Sequence, residues 1–141
     1  MEWLLLSILS AIFAALVAIF AKIGLQNVDP VTGTATRALI MTLFIVAFVI
    51  FTGKGHQLTQ FTTNDMSFII LSGIAGAFSW LFYFAALKLA DASKVALVDR
   101  SSVIFVIVLA VIFLGEKITL KTATASVLIF IGLLLLVIRL G

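Results

Sequence analysis

With 141 residues, 64% of them hydrophobic and only 11% charged, the chain lies far outside the composition of a soluble globular domain. Its net charge of +3 is small and spread along the sequence, which argues against nucleic-acid binding, and the absence of cysteine excludes disulfides, thiol chemistry and cysteine-based metal sites. The single histidine, His56, stands in a polar stretch with no second ligand nearby, so neither a metal nor any other cofactor is expected.

Five apolar stretches follow one another, at approximately 3–25, 31–51, 66–89, 93–114 and 120–140. Each is long enough to cross a bilayer once with some tilt. The first opens on the acidic Glu2, is too long for a signal h-region and precedes no cleavage-like site, so it reads as a span rather than a leader. Asp29 before Pro30 predicts an N-cap with proline at the first helical position of the second span. The connection 52–65, with Gly53, Gly55 and a run of Thr and Gln, reads as an exposed loop, and Asn64–Asp65 as the cap of the third span. Asp91 or Ser93 would cap the fourth span, Gly115 would close it, and Thr119 would cap the fifth. No repeat is visible inside the chain, and five spans with short loops leave no room for a soluble domain. The expected fold is therefore all-α, an integral membrane bundle of five transmembrane helices forming a single domain over 1–141.

The fourth span contains the feature that points to function. Its uninterrupted apolar run, 103–114, covers only about 18 Å at 1.5 Å per residue, against a hydrocarbon core of about 30 Å. The helix therefore has to begin near Ser93, which puts the adjacent pair Asp99 and Arg100 about 9 Å inside it. A charge at such depth costs on the order of 2.5 kcal/mol or more and is generally paired or faces a polar cavity.

An odd number of spans puts the two termini on opposite sides. Lys22, Arg37, Lys88, Lys94, Arg100 and Arg139 then share one side, and Lys54, Lys117 and Lys121 the other. The excess favours an N-out, C-in orientation, and the buried positions of Arg37 and Arg100 weaken the bias. Lys22, Arg37, Asp99 and Arg100 fall within about 10 Å of one membrane face. Neighbouring helical residues point about 100° apart, so Asp99 is expected to pair with Arg37 or Lys22 rather than with Arg100. The competing structural reading is that the basic groups snorkel to the interface and that Asp99 belongs to a purely structural ion pair.

Two faces are lined by small residues. In the third span Ser72, Gly76, Ser79 and Tyr83 share one line, extended by Ala86 and Ala90. In the first, Ser7, Ser10, Ala11, Ala14, Ala18, Ala21 and Lys22 do the same. Such spacing lets helices approach closely, and it also suits a cavity wall. Ser79, Trp80 and Tyr83 add hydroxyls and a flat aromatic surface at mid-membrane, where a polar partner is wanted. Enzymatic constellations are absent: there is no HExxH, GxSxG or P-loop pattern.

The stretch Tyr83-Phe-Ala-Ala-Leu-Lys-Leu-Ala-Asp-Ala-Ser-Lys-Val-Ala-Leu-Val-Asp-Arg-Ser-Ser102, with Phe113-Leu-Gly-Glu-Lys-Ile-Thr119 after it, resembles the EamA domain of the drug/metabolite transporter superfamily. Ala21-Lys-Ile-Gly-Leu, Val28-Asp-Pro and Ala35-Thr-Arg37 fit the same family, so the likeness runs through nearly the whole chain. It is strongest to the short members built of one five-helix domain. Those carry a proline where this chain has Leu97, which puts a family kink at that point in doubt while the acid–base pair is kept.

The resemblance implies one half of a ten-helix inverted-repeat transporter, and hence a homodimer, antiparallel in the inverted-repeat arrangement. It implies export of a small metabolite across the inner (plasma) membrane. Asp99 would be the proton-responsive or charge-binding group, with Arg37, Arg100 and Lys22 as counter-ions or anion contacts. Ser79, Trp80 and Tyr83 would shape the cavity. The expected partners are the lipid bilayer, a second copy and a small-molecule substrate, with no nucleic acid. The alternative is a non-transporting membrane subunit whose charges and small faces serve only assembly.

Overall fold

The computed structural model describes residues 1–138, and its regular structure is helical throughout the described residues. Helix α1 covers Glu2–Gly24, α2 Pro30–Phe51, α3 Thr63–Leu89, α4 Ala92–Asp99, α5 Ser102–Leu114 and α6 Leu120–Ile138, with a short 3₁₀ turn at Gly55–Thr59 in the long connection. Helices α1, α2 and α3, and the segment Ala92–Leu114 taken through the junction of α4 and α5, are long and apolar enough to cross a membrane; Leu120–Leu135 is a shorter apolar helix. The five expected stretches thus reappear as helices. Arg139 and Leu140, counted in the expected fifth span, lie outside the described residues.

The helix ends follow local chemistry. The Asp29 carboxylate accepts hydrogen bonds from Val31 N at 2.9 Å and Thr32 N at 3.0 Å, and Pro30, which has no N–H to satisfy, takes the first helical position. Helix α3 starts earlier than the apolar pattern suggests, and its cap is Thr62 rather than Asn64–Asp65. Thr62 Oγ1 accepts from Asp65 N at 3.2 Å, while Asp65 Oδ2 accepts from Thr62 N at 3.0 Å and from the Thr62 hydroxyl at 2.7 Å. This is a capping box closed by the shorter acid, and it carries the helix three residues into polar sequence that hydropathy alone assigns to the loop.

Asp91 stands at the N-cap of α4 without a side-chain capping bond and pairs with Lys94 at 2.8 Å. Gly115 ends α5 in the left-handed conformation, φ +66°, and Glu116 N reaches back to Ala110 O at 3.3 Å. Thr119 Oγ1 accepts from Thr122 N at 3.2 Å and so starts α6 as expected.

The expected fourth span is not a continuous helix. Arg100 N is shared between Ala96 O at 3.3 Å and Leu97 O at 3.2 Å, and Ser101 N reaches Val98 O at 3.0 Å. Val103 N and Ile104 N likewise bond three residues back, to Arg100 O and Ser101 O, at 3.1 and 3.0 Å. Arg100 (φ −64°, ψ −12°) and Ser101 (φ −58°, ψ −22°) have the dihedrals of a 3₁₀ step. The cause is in the sequence. Asp99, Arg100, Ser101 and Ser102 form a polar run, and the short Asp and Ser side chains compete for backbone hydrogen bonds. The interruption needs no proline at Leu97.

The chain forms two compact units, one of Met1–Leu89 and one beginning at Ala90. In the first, α3 packs against both α1 and α2; in the second, α6 packs against α4 and α5. Ala18, Leu25, Thr34, Phe84 and Leu87 form the buried core of the first unit, and Val95 is buried in the second. Most large apolar side chains, such as Leu43 at 71% and Phe82 at 73% exposure, find no protein cover, as suits lipid contact.

The turn from α1 to α2 is closed by Leu25, whose Cδ2 lies 2.6 Å from where a Cβ on Gly33 would stand. Gly33→Ala requires only that the Leu25 methyl turn aside. Gly33→Val drives further atoms into a side chain that is 96% covered, and should lower stability by about 1–3 kcal/mol. Thermal unfolding in detergent checks this: a valine variant that melts with the wild type refutes the close packing.

Candidate functional site

Helix α2 leaves one membrane face at Pro30 and α3 returns to it at Leu89, so residues counted from these ends share a depth. Arg37, seven residues after Pro30, and Trp80, nine before Leu89, both lie about 10–14 Å along their helices. They meet: Arg37 Cζ sits 3.8 Å from the centroid of the Trp80 ring. Phe84, one helical turn on, is 5.7 Å from the same guanidinium. Trp80 is held edge-on by Tyr83 (5.7 Å, 83°) and by Phe84 (5.7 Å, 88°), and Phe84 is itself buried. The cation therefore rests on an aromatic cluster whose rings lock one another. A cation–π contact on a half-buried arginine is worth about 1 kcal/mol, between the exposed and the desolvated limits.

An aromatic face supplies no lone pair, so the five guanidinium N–H groups gain no conventional acceptor from it. Within the first unit no carboxylate serves instead. Asp29 caps α2 and Asp65 bonds Thr62, as described, and Glu2 opens α1 at the far end of that helix.

Beside Arg37 runs an open cleft of about 730 Å³ between α1 and α2, floored by Phe84 of α3. Its walls are Val17, Phe20, Leu25, Val28 and Ile40, with Thr36 and Arg37 supplying polar groups. The small residues Ala21, Gly24 and Gly33 at the head of the cleft leave the room. Of the small-residue face of α1, Ala18 is buried while Ala14, Ala21 and Lys22 are half-buried, and Ser7 bonds back to Trp3 O at 2.8 Å.

Lys22 and Lys88 form a second constellation at the membrane face. Lys22 Nζ donates to Leu87 O at 2.6 Å, in the last turn of α3, and Lys88 Nζ donates to Val28 O at 2.7 Å, in the turn between α1 and α2. Leu87 O is near the C-terminus of α3, where the backbone dipole favours positive charge, whereas Val28 O lies just before the N-cap of α2 and is matched by its hydrogen bond alone. The arrangement ties α3 reciprocally to the α1–α2 hairpin, and gives Lys22 a structural task.

Of the residues singled out in the sequence, Arg37, Trp80 and Tyr83 come together in the first unit, with Phe84 added; Ser79 is exposed beside them. Asp99 and Arg100 belong to the second unit, exposed at the junction of α4 and α5. The expected meeting of Asp99 with Arg37 or Lys22 would join residues of different units. The Arg37–Trp80 stack was not anticipated, yet a count of depths from Pro30 and Leu89 puts both residues at one level.

A match to the EamA-like transporter family covers residues 1–138. The chain is also similar to an uncharacterized transporter in the cobO 3′ region of a Sinorhizobium species, 39% identical over 137 residues that span 97% of each chain. No solved structure matches.

Replacing Lys22 by Met leaves Leu87 O without this donor and should cost about 1–3 kcal/mol, while Lys22→Arg keeps a donor and recovers part of it. The measurement is thermal unfolding in detergent. Equal melting of wild type and Lys22→Met would show that the lysine does not clamp α3.

Proposed function

The chain belongs to the EamA-like transporter family, and from that premise we propose that it exports a small metabolite across the inner membrane as a homodimer of five-helix units. It is a multi-pass integral membrane protein of a transporter family. The observation that carries it is the interruption of the fourth span at Asp99, Arg100 and Ser101. The backbone there stays hydrogen-bonded but tightens to a 3₁₀ step, which inside a helix often marks a functional hinge. In transporters substrate and ion sites lie beside helix breaks at membrane depth, and the polar step from Asp99 to Ser102 is a milder irregularity of that kind.

Asp99 is the titratable group at that junction. Its side chain is too short to reach the interface from about 10 Å inside the helix that starts at Ala92. We assign it the proton-responsive or charge-binding role, with Arg100 beside it; within the first unit we assign Ser79, Trp80 and Tyr83 the shaping of a substrate cavity. One five-helix unit supplies one wall of a pathway, and a second copy supplies the other. The homologous relative's name supports transport without specifying cargo.

The absence of cysteine makes the test direct. Single cysteines at Ser79, Ser101 and Ser102 should react with a membrane-impermeant maleimide from one side of the membrane. No labelling from either side, with the protein inserted, would mean a dry ion pair and favour an assembly subunit. Asp99→Asn should abolish flux while leaving insertion intact, and undiminished flux in that variant refutes the assigned role. A mass in detergent of about two 15.2 kDa chains checks the homodimer.

A further inference from the structure

We propose that Arg37, stacked on Trp80 at the rim of the α1–α2 cleft, binds the acidic group of the transported molecule, so that the cargo is a small organic anion with an apolar body. The assignment rests on the transporter reading above and narrows its substrate class.

Three observations converge. First, the guanidinium is held on the ring at 3.8 Å but is given no acceptor within its unit, so its donors are ordered in advance and unspent. An arginine so placed presents a planar fork that matches a carboxylate or phosphate monoester, and the ordering cost of a flexible cation has already been met. Second, the adjoining cleft is apolar on Val17, Phe20, Leu25, Val28, Ile40 and Phe84, and its volume of about 730 Å³ is in the range of small-molecule sites. A molecule that filled it would bury a hydrocarbon or aromatic body and leave one charged end at Arg37. Third, no acidic side chain lines the cleft, and Thr36 is the neutral polar group there. An organic cation would find only repulsion at Arg37, and a neutral apolar molecule would leave the guanidinium without an acceptor in a low-dielectric setting, where charge-assisted hydrogen bonds are strongest.

The same chemistry, an oxyanion on an apolar body, is also that of a phospholipid, and the experiment has to separate the two sources. The chain has two tryptophans, Trp3 and Trp80. Trp3 is 72% exposed at the start of α1, so Trp3→Phe leaves Trp80 as the sole indole reporter at little structural cost. This single-tryptophan protein is placed in phosphatidylcholine nanodiscs and titrated with hexanoate and butyl phosphate, and with 1-hexanol and hexylamine as neutral and cationic counterparts.

The expected result is a saturable change in Trp80 emission with the two anions and a response about tenfold weaker or less with hexanol and hexylamine. Arg37→Gln should weaken anion binding by about tenfold or more, and Arg37→Lys, which keeps the charge and loses the fork, by a smaller factor. Equal responses to hexanoate and hexanol overturn the assignment. So does unchanged anion binding in Arg37→Gln of native helical content; if that variant fails to fold, weakened hexanoate binding in Arg37→Lys supports the assignment and full wild-type affinity refutes it. Loss of the response in nanodiscs containing phosphatidylglycerol would give the site to a lipid headgroup and overturn the substrate assignment. Hexanoate flux in proteoliposomes is scored separately. Binding without flux retains the anion site and counts against transport, whereas flux indifferent to Arg37→Gln retains transport and removes the site.

Discussion

A peptide group in hydrocarbon has no water to bond, and an unsatisfied N–H or carbonyl there costs several kcal/mol. Helices settle this for their interiors but leave four donors and four acceptors open at each end. The side-chain chemistry of this protein is concentrated at those ends. Asp29 closes the start of α2, Thr62 and Asp65 the start of α3, and Thr119 the start of α6. Lys22 and Lys88 take carbonyls at the opposite polarity, near the ends of α3 and of the α1–α2 turn. Where Asp29 and Asp65 stand at helix starts and Lys22 meets a carbonyl in the last turn of α3, the macrodipole and the hydrogen bonds act in the same direction. The junction of α4 and α5 is the exception, since there the ladder changes pitch inside a span and not at its end.

The basic residues near one membrane face are therefore not equivalent, although hydropathy treats them alike. Lys22 and Lys88 are compact point charges that donate to backbone carbonyls, and a lysine suits that use. Arg37 is planar and weakly hydrated, and it lies on Trp80 with its edge donors uncommitted. The aromatic cluster stabilises the cation without neutralising it. That combination holds a full positive charge ready inside the membrane, which a salt bridge would not do.

Much of this was legible beforehand. The five apolar stretches and the caps at Asp29, Gly115 and Thr119 follow from composition and nearest-neighbour rules, which act over four or five residues and need no tertiary information. The start of α3 lies beyond the reach of hydropathy, because the capping box at Thr62 and Asp65 extends the helix into polar sequence and hydropathy is blind to capping. The interruption at Arg100 was missed for a different reason. The length of hydrocarbon requires a span there, and the requirement hid a polar run, Asp99 to Ser102, that weakens the ladder locally. The Arg37–Trp80 contact is 43 positions apart in sequence and depends on the rotation of α2 against α3, which periodicity does not fix. Depth alone was available, and depth matched.

The symmetry of the proposed pair then bears on how one cation could serve a pathway. An odd number of spans makes the two ends of the chain inequivalent with respect to the bilayer. In a dimer related by an axis along the membrane normal, both copies of Arg37 lie about 10 Å from the same face, and a bound anion meets two positive charges at one level. In a dimer related by an axis in the membrane plane, the two copies lie near opposite faces, and each half of the pathway offers the anion one equivalent site. The second arrangement gives alternating access from identical parts, because the site that faces inward in one copy is the outward site of the other. A charge held on an aromatic ring rather than in an ion pair suits that exchange. Arg37 can take up the anion and give it up to the other side without first being prised from a carboxylate within its own unit.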